Sequence, residues 1–382
     1  MIQKQKCLAV GAGAIGKSVS AVTFSKFGCD VLVADVKPEV IADINNRNGY
    51  CIIQTEFNKP DVNVAVEGIR AAEISSEEAK NFAMEADYIC TAIGPVGMKF
   101  FLPTLMEWLK ARNRVSKKPL YLLFFENDSS CVSLFHQVAT EALGAVPEWM
   151  KVAKASIERM TKPLPPVDGK YDVVAESVFP VLLPKAALRD SSIADSPLFA
   201  LVDDVDAYYY RKLYTNNLGH AVLGYVGSHY GYATADQCVK DAKVCAILDE
   251  VLSETGEMLI KEYGFTAEEM QAHLKLLPTR YWNQGLNDSL DRLARDPVRK
   301  LSPSERIVGA IRKCSHAGIR PDGIIKVLCY AVRYNGQDDQ SLQLAKDFSE
   351  KGMGWILENI CGISSDEKLY DTIMEIDKQL FC

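Results

Sequence analysis

Apolar and polar positions change rhythm partway along the chain. In the first part, short apolar runs alternate with stretches of helical period. Residues 7–10 are apolar and are followed by a glycine-rich break. An amphipathic stretch comes next, and then a second apolar run that ends at Asp35. "EVIADINNRN" has the period of a helix, whereas "GYCIIQT" and "VNVAVEGI" have that of strands and suggest an inserted hairpin. "SEEAKNFAMEA" predicts a helix with Ser76 at its N-cap. "DYICTAIGPVG" and "PLYLLFFENDSS" each predict a strand followed by a break. Such alternation predicts a mostly parallel sheet covered by helices.

Between about residues 151 and 186 the strand-like pieces are interrupted by prolines, which suggests a bridge between domains. From 187 onward helical periodicity dominates, as in "DVDAYYYRKLYTNNLGHAVLGYVG" and "DGIIKVLCYAVRYN". The expected organisation is a dinucleotide-binding α/β domain over residues 1–186 and a mainly α-helical substrate-binding domain over 187–382. The cleft between them is the default place for a site.

The break after the first strand is Gly11-Ala12-Gly13-Ala14-Ile15-Gly16, a GxGxxG turn between a predicted strand and a predicted helix. There Gly11 allows the tight turn, Gly13 lets a pyrophosphate approach the backbone, and Gly16 lets helix and strand pack closely. This marks the sheet as a Rossmann-type doubly wound sheet. Asp35 closes the second strand, where a carboxylate binds both ribose hydroxyls and repels a 2′-phosphate. NAD is therefore the expected cofactor, held by Gly11, Gly13, Ile15, Gly16 and Asp35, although Lys37 nearby would soften the preference over NADP. Ligands on such sheets lie beyond the carboxyl ends of the strands, so Ala92, Gly94 and Pro95 are placed near the nicotinamide half. Asn127, in the second break, has two readings: a cap for the next helix, or an amide donor to a substrate oxygen.

The tyrosine-rich helix 208–227 carries Lys212, Asn216, Asn217 and His220 among apolar residues. At 100° per residue from Lys212, Asn216 falls near ~40°, His220 near ~80° and Asn217 near ~140°. These residues share a broad face, with Asn216 mildly preferred over Asn217 as the partner of the lysine. A solvent-facing amphipathic helix is the plain alternative. The helix is apolar nearly all round, however, which favours a polar face turned to a cleft. A lysine kept neutral by partial burial can take a hydroxyl proton, and amides can steady the charge growing on the oxygen. Further on, Arg280, Arg292, Arg295, Arg299, Lys300 and Arg306 fall within 27 residues, which suggests a small anion. Asp288, Asp291, Asp296 and Glu305 lie among them and could instead make ordinary surface pairs.

Composition narrows the picture. The 382 residues are 48% hydrophobic with a formal net charge of −7 and no block of like charge, which argues against nucleic acid as a partner. No run of about 20 apolar residues suggests a membrane span. The eleven cysteines are scattered, with no CxxC pair, as expected of reduced thiols in a cytoplasmic protein. Cys314 and His316 alone make no metal site.

Lys212-x4-Asn217-x2-His220 behind the GAGAIG turn, together with Arg292-x2-Arg295-Asp296-Pro297-x-Arg299-Lys300-Leu301, resembles the polyol-specific long-chain dehydrogenase family. The resemblance runs from about residue 7 to 310. It implies a metal-independent, NAD-linked oxidoreductase acting on a small polyol or sugar phosphate, with mannitol 1-phosphate and fructose 6-phosphate the favoured pair. By the same resemblance Lys212 is the general acid/base, Asn217 and Asn127 hold the reacting oxygen, and His220, Arg292, Lys300 and Glu158 contact substrate. Glu158 stands where the family usually has aspartate. Phe125 replaces a smaller residue, and the usual proline after Asn283 is missing. These departures bear on the substrate, leaving free mannitol oxidation or hexuronate reduction as alternatives within the family. A non-catalytic NAD sensor is the alternative outside it. It would need Gly11 to Asp35 but not Lys212, Asn217 and His220 together.

Overall fold

A computed structural model describes residues 4–126, 130–177 and 179–381. They divide into two compact units, one up to Tyr208 and one from Tyr209 on. The sequence reading drew its line at 186/187.

In the first unit the chain runs β1 (Lys6–Val10), a wide-turned helical segment at Gly16–Ala21, α1 (Val22–Phe27), β2 (Asp30–Asp35), α2 (Pro38–Arg47), β3 (Gly49–Gln54), β4 (Val62–Glu67) and β5 (Ile69–Glu73). It continues through α3 (Glu77–Glu85), β6 (Tyr88–Thr91), α4 (Gly94–Val115), β7 (Leu120–Phe124), α5 (Ser130–Leu143) and β8 (Met150–Lys154). The last elements are β9 (Thr161–Pro163), β10 (Val173–Ala175), β11 (Val181–Pro184), α6 (Lys185–Leu188) and β12 (Phe199–Val202).

Six strands form a parallel sheet in the order β5-β2-β1-β6-β7-β8. The order reverses between β1 and β6, which is the switch point at which doubly wound sheets bind ligands. Both faces are covered, so β1 is apolar and buried from Cys7 to Val10. Cys7 and Ala9 pack into the core on one side, Leu8 and Val10 into the core on the other. Ser76 caps α3 as expected, accepting from the Ala79 N–H.

The proline-broken stretch differs from its expectation as a bridge. β10 pairs with β3 in parallel, β9 pairs with β10 and β4 with β3, both antiparallel. The expected hairpin is therefore half of a second, four-stranded sheet in the order β4-β3-β10-β9. Likewise β12 pairs with β11, inside the stretch read as already helical.

The second unit is helical. It begins in α7 (Val205–Lys212), continues through a wide turn at Leu213–Asn217, α8 (Leu218–Val222) and another wide turn at Leu223–Gly227. α9 (Ala235–Cys238), α10 (Ala242–Tyr263), α11 (Ala267–Tyr281), α12 (Leu290–Ala294) and α13 (Pro297–Lys300) follow. The chain ends with α14 (Val308–His316), α15 (Asp322–Val332), α16 (Asp339–Asn359) and α17 (Lys368–Phe381). No helix among the described residues is long and apolar enough to cross a membrane.

Candidate active site

The glycine turn takes its shape from close packing. Gly11 has φ +100°, and a Cβ there would lie 2.7 Å from the Ala92 carbonyl oxygen. A Cβ on Gly16 would meet the Gly11 carbonyl oxygen at 1.8 Å, so only glycine lets the helix start this close to β1. Gly13 has nothing within 4 Å of the same position and is open on its outer side. Asp35, at the end of β2, reaches back to this turn. One carboxylate oxygen accepts from the Ala12 N–H at 2.6 Å, the other from the Val36 and Lys37 N–H groups at 2.8 and 2.9 Å.

A cavity of about 640 Å³ opens over the turn. Gly11, Gly13, Asp35 and Ala92 line it, which brings together half of the nucleotide residues expected from the sequence. Ile15 and Gly16 lie beneath it and are not part of its lining. Gly94 and Pro95 are also absent from the wall and instead open α4. The turn, the open face of Gly13 and the carboxylate at the strand end fit a dinucleotide, with its pyrophosphate against Gly11–Gly13 and a ribose at Asp35.

Phe100, Val36 and Lys17 are among the lining residues that escaped the sequence reading. Phe100, on α4, is 79% exposed and faces the cavity with Val36. Lys17 is buried, donates to the Tyr171 carbonyl and lies 5.6 Å from the centre of the Tyr50 ring. Burial lowers its pKa to about 8 against the pull of Asp43 and Asp172. Its position directly after Gly16 was the available signal. Its inward direction was not, because that depends on β9 and β10 folding over the helix. Asn127 lies outside the described residues, and Glu158 is half-buried between β8 and β9.

In the second unit the helix that bears Lys212 is not regular. The Leu218 N–H bonds to the Leu213 carbonyl, five residues back, so one extra residue is accommodated in the turn. Lys212, Asn217 and His220 are half-buried, whereas Asn216 is buried at 3% exposure. Burial thus separates the two amides: Asn217 shares the half-buried state of Lys212, and Asn216 does not. Tyr281 accompanies the distortion. Its hydroxyl would be 2.1 Å from a Cβ on Gly219 and lies 3.5 and 3.4 Å from the Thr215 and Asn216 carbonyl oxygens. Thr215 fixes the inner side, donating to the Arg211 carbonyl at 2.6 Å and meeting His273 Nε2 at 2.8 Å.

His220 lies edge-on to Tyr281, with ring centroids 5.2 Å apart. Burial, followed by the charges of Arg292, Arg280, Arg306 and Lys300, holds its pKa well below the usual histidine value. Lys300 is 3% exposed and donates to the Leu293 carbonyl at 2.5 Å. Burial, reinforced by Arg306 and Arg299, lowers it to about 6. Arg292 is paired with Asp288. Of the four expected substrate residues, His220, Arg292 and Lys300 thus lie on this unit.

Two family models match this chain. One, described as the mannitol dehydrogenase Rossmann domain, covers residues 5–162. The other, the mannitol dehydrogenase C-terminal domain, covers 204–358. The chain belongs to the mannitol dehydrogenase family. It is accordingly an oxidoreductase built on a Rossmann domain.

Among relatives in this family, the mannitol-1-phosphate 5-dehydrogenase of Bacillus licheniformis is 28% identical over 371 residues, covering 95% of this chain and 97% of the relative. The enzyme of the same name from Bacillus subtilis is 29% identical over 373 residues, covering 96% and 97%. In fold, the chain is similar to Pseudomonas fluorescens mannitol 2-dehydrogenase, solved as a ternary complex with NAD and D-mannitol. That match has a TM-score of 0.76 at 13% identity, covering all of this chain and 92% of that one. A substrate-free D-sorbitol dehydrogenase gives a TM-score of 0.78 at 13% identity, covering 98% and 92%.

Proposed function

We propose that this mannitol dehydrogenase family member interconverts mannitol 1-phosphate and fructose 6-phosphate with NAD, using Lys212 as its acid/base and no metal. The observation that supports the chemistry is burial around the wide turn at Leu213–Asn217: Lys212 and Asn217 are half-buried, while Asn216 is buried. In oxidation the amine of Lys212 takes the substrate hydroxyl proton, and in reduction the ammonium returns it. Asn217 donates to the oxygen and limits the cost of charge building there, the role that the family resemblance also gives Asn127. NAD, when bound at the glycine turn, supplies or accepts the hydride. Asp35 favours NAD over NADP because a 2′-phosphate would meet a carboxylate. Near-full-length similarity to the Bacillus enzymes supports the phosphorylated pair over free mannitol.

The test is NADH oxidation at neutral pH with chelator present, offering fructose 6-phosphate, free fructose and a hexuronate in parallel. Fructose 6-phosphate is expected to be the preferred substrate. Lys212→Ala is expected to abolish turnover while NADH still binds. A variant that turns over at the wild-type rate removes the lysine from the mechanism. Absence of turnover with every substrate points to an NAD-binding sensor.

A further inference from the structure

The second sheet reaches the nucleotide cavity through one short hairpin. β9 and β10 pair over only three residues each, Thr161–Pro163 with Val173–Ala175, and β9 is the edge strand of its sheet. Beyond that pairing the two arms are joined by the Leu164 N–H bond to the Asp172 carbonyl at 3.3 Å and by the turn closed between Val167 and Lys170. Pro163, Leu164, Tyr171, Asp172 and Val173 nevertheless line the same cavity as Gly11, Gly13 and Asp35.

Side chains from the first helices hold this hairpin in place. The amine of Lys17 donates to the Tyr171 carbonyl, 154 residues further along the chain, and the Tyr171 N–H donates to Asp43 of α2 at 2.9 Å. Both main-chain polar groups of Tyr171 are thus met by side chains. Arg47, one turn along α2, donates to Asp43 at 2.7 and 2.6 Å and to Asp172 at 2.8 Å. Asp172 also accepts from the Cys51 N–H at 2.9 Å. Lys17 is itself fixed at its backbone, because its N–H bonds to the Gly13 carbonyl at 3.0 Å and its carbonyl accepts from the buried Tyr50 hydroxyl at 2.7 Å. Burial lowers the lysine pKa only to about 8, so the amine stays charged at neutral pH. Two cations and two carboxylates therefore form one network, a helical turn away from Gly13.

We infer that Lys17 and Asp43 are positioning residues for the cofactor: they grip Tyr171 by its carbonyl and its N–H and so seat the β9–β10 hairpin as a wall of the nucleotide cavity. The inference rests on NAD binding at the glycine turn and does not depend on the identity of the sugar substrate. An edge pairing of three residues is too short to hold a hairpin by itself, whereas hydrogen bonds to charged groups are roughly twice as strong as neutral ones. A wall already in place spares cofactor binding the cost of ordering it. The charges also separate this reading from a plain electrostatic one. Lys17→Met leaves surplus negative charge in the network, and Asp43→Asn leaves surplus positive charge. Losing the grip on Tyr171 weakens NADH binding in both variants, whereas charge alone would weaken it in the first and strengthen it in the second.

The experiment measures NADH fluorescence titrations and amide hydrogen exchange on the wild type, Lys17→Met and Asp43→Asn. Both variants are expected to bind NADH about tenfold more weakly or worse. Without cofactor, their amides between residues 164 and 172 are expected to exchange faster than in the wild type, while those of β1 do not change. In the wild type, NADH is expected to slow exchange at the same hairpin amides. Tighter binding by Asp43→Asn overturns the inference in favour of charge alone. NADH affinity within about threefold of the wild type in both variants overturns it as well. So does faster exchange spread evenly over the domain, which would make the network a general brace. Should either variant fail to fold, the wild type still decides: hairpin exchange that ignores bound NADH removes the hairpin from the cofactor site. A wild type that binds no NADH defeats the cofactor assignment itself, and the inference with it.

Discussion

Gly13 and Gly16 are three residues apart in one motif, and the structure gives them opposite duties. Replacing each by alanine separates them. At Gly16 the new methyl would sit 1.8 Å from the Gly11 carbonyl oxygen, where ordinary contact begins at 3.4 Å. The obstacle is backbone held in the turn by the Gly11 N–H bond to the Ala34 carbonyl, so it cannot swing away as a side chain would. Overpacking of this severity belongs at the upper end of its usual range, about 3 kcal/mol. In a domain of this size that is a fall of roughly 6–12 °C in melting temperature. At Gly13 the methyl meets nothing within 4 Å, and the backbone there is not left-handed, so the free protein should melt within about 1 °C of wild type. The methyl does occupy the space where a pyrophosphate would touch the backbone. NADH affinity should therefore drop by tenfold or more, about 1.4 kcal/mol. Differential scanning calorimetry without cofactor and NADH fluorescence titration read the two effects separately. If Gly13→Ala binds NADH as the wild type does, or Gly16→Ala melts with the wild type, the division of labour argued here is wrong.

Asp35→Ser should shift cofactor preference toward NADPH, measured as the ratio of kcat/KM values. It should also cost stability, about 1 kcal/mol or more, because the Ala12, Val36 and Lys37 N–H groups lose charged acceptors. An unchanged cofactor ratio would remove the carboxylate from ribose recognition. Lys300 has a folded pKa of about 6, below its unfolded value, so the unfolded chain binds the extra proton between roughly pH 6 and 10. Its contribution therefore makes the protein more stable as pH rises through that window, by up to about 1.4 kcal/mol per pH unit, and less stable as pH falls toward 6. Lys300→Met should flatten that slope in melting curves taken from pH 6 to 9. A slope identical to the wild type would mean the amine stays charged when folded.

The two domains differed in how far sequence reasoning reached. The glycine turn and Asp35 were legible because their geometry is local: a turn, a helix start and a strand end within a few dozen residues. The lysine, asparagine and histidine of the second unit were legible as candidates, but their burial was not. An ideal helix leaned toward Asn216, whereas the structure buries Asn216 and leaves Asn217 half-buried like Lys212. The wide turn at Leu213–Asn217 packs against Tyr281 and His273, more than fifty residues away in the chain. Phe100 was passed over because nothing near it in sequence announces a cavity wall, and Lys17 because its place after Gly16 does not reveal that its amine turns inward to Tyr171.

What the sequence determined by itself was the order of strands and helices, the nucleotide turn and the chemical types available. Hydrophobic period and glycine placement act over short distances, and each suffices to bias its own segment. Tertiary structure alone decided that residues 161–175 complete a second sheet with β3 and β4, and which asparagine faces outward. It also decided that His220 packs edge-on against Tyr281, from a helix far along the chain. Those outcomes depend on contacts between distant segments, whose free energy exists only once the chain has closed on itself.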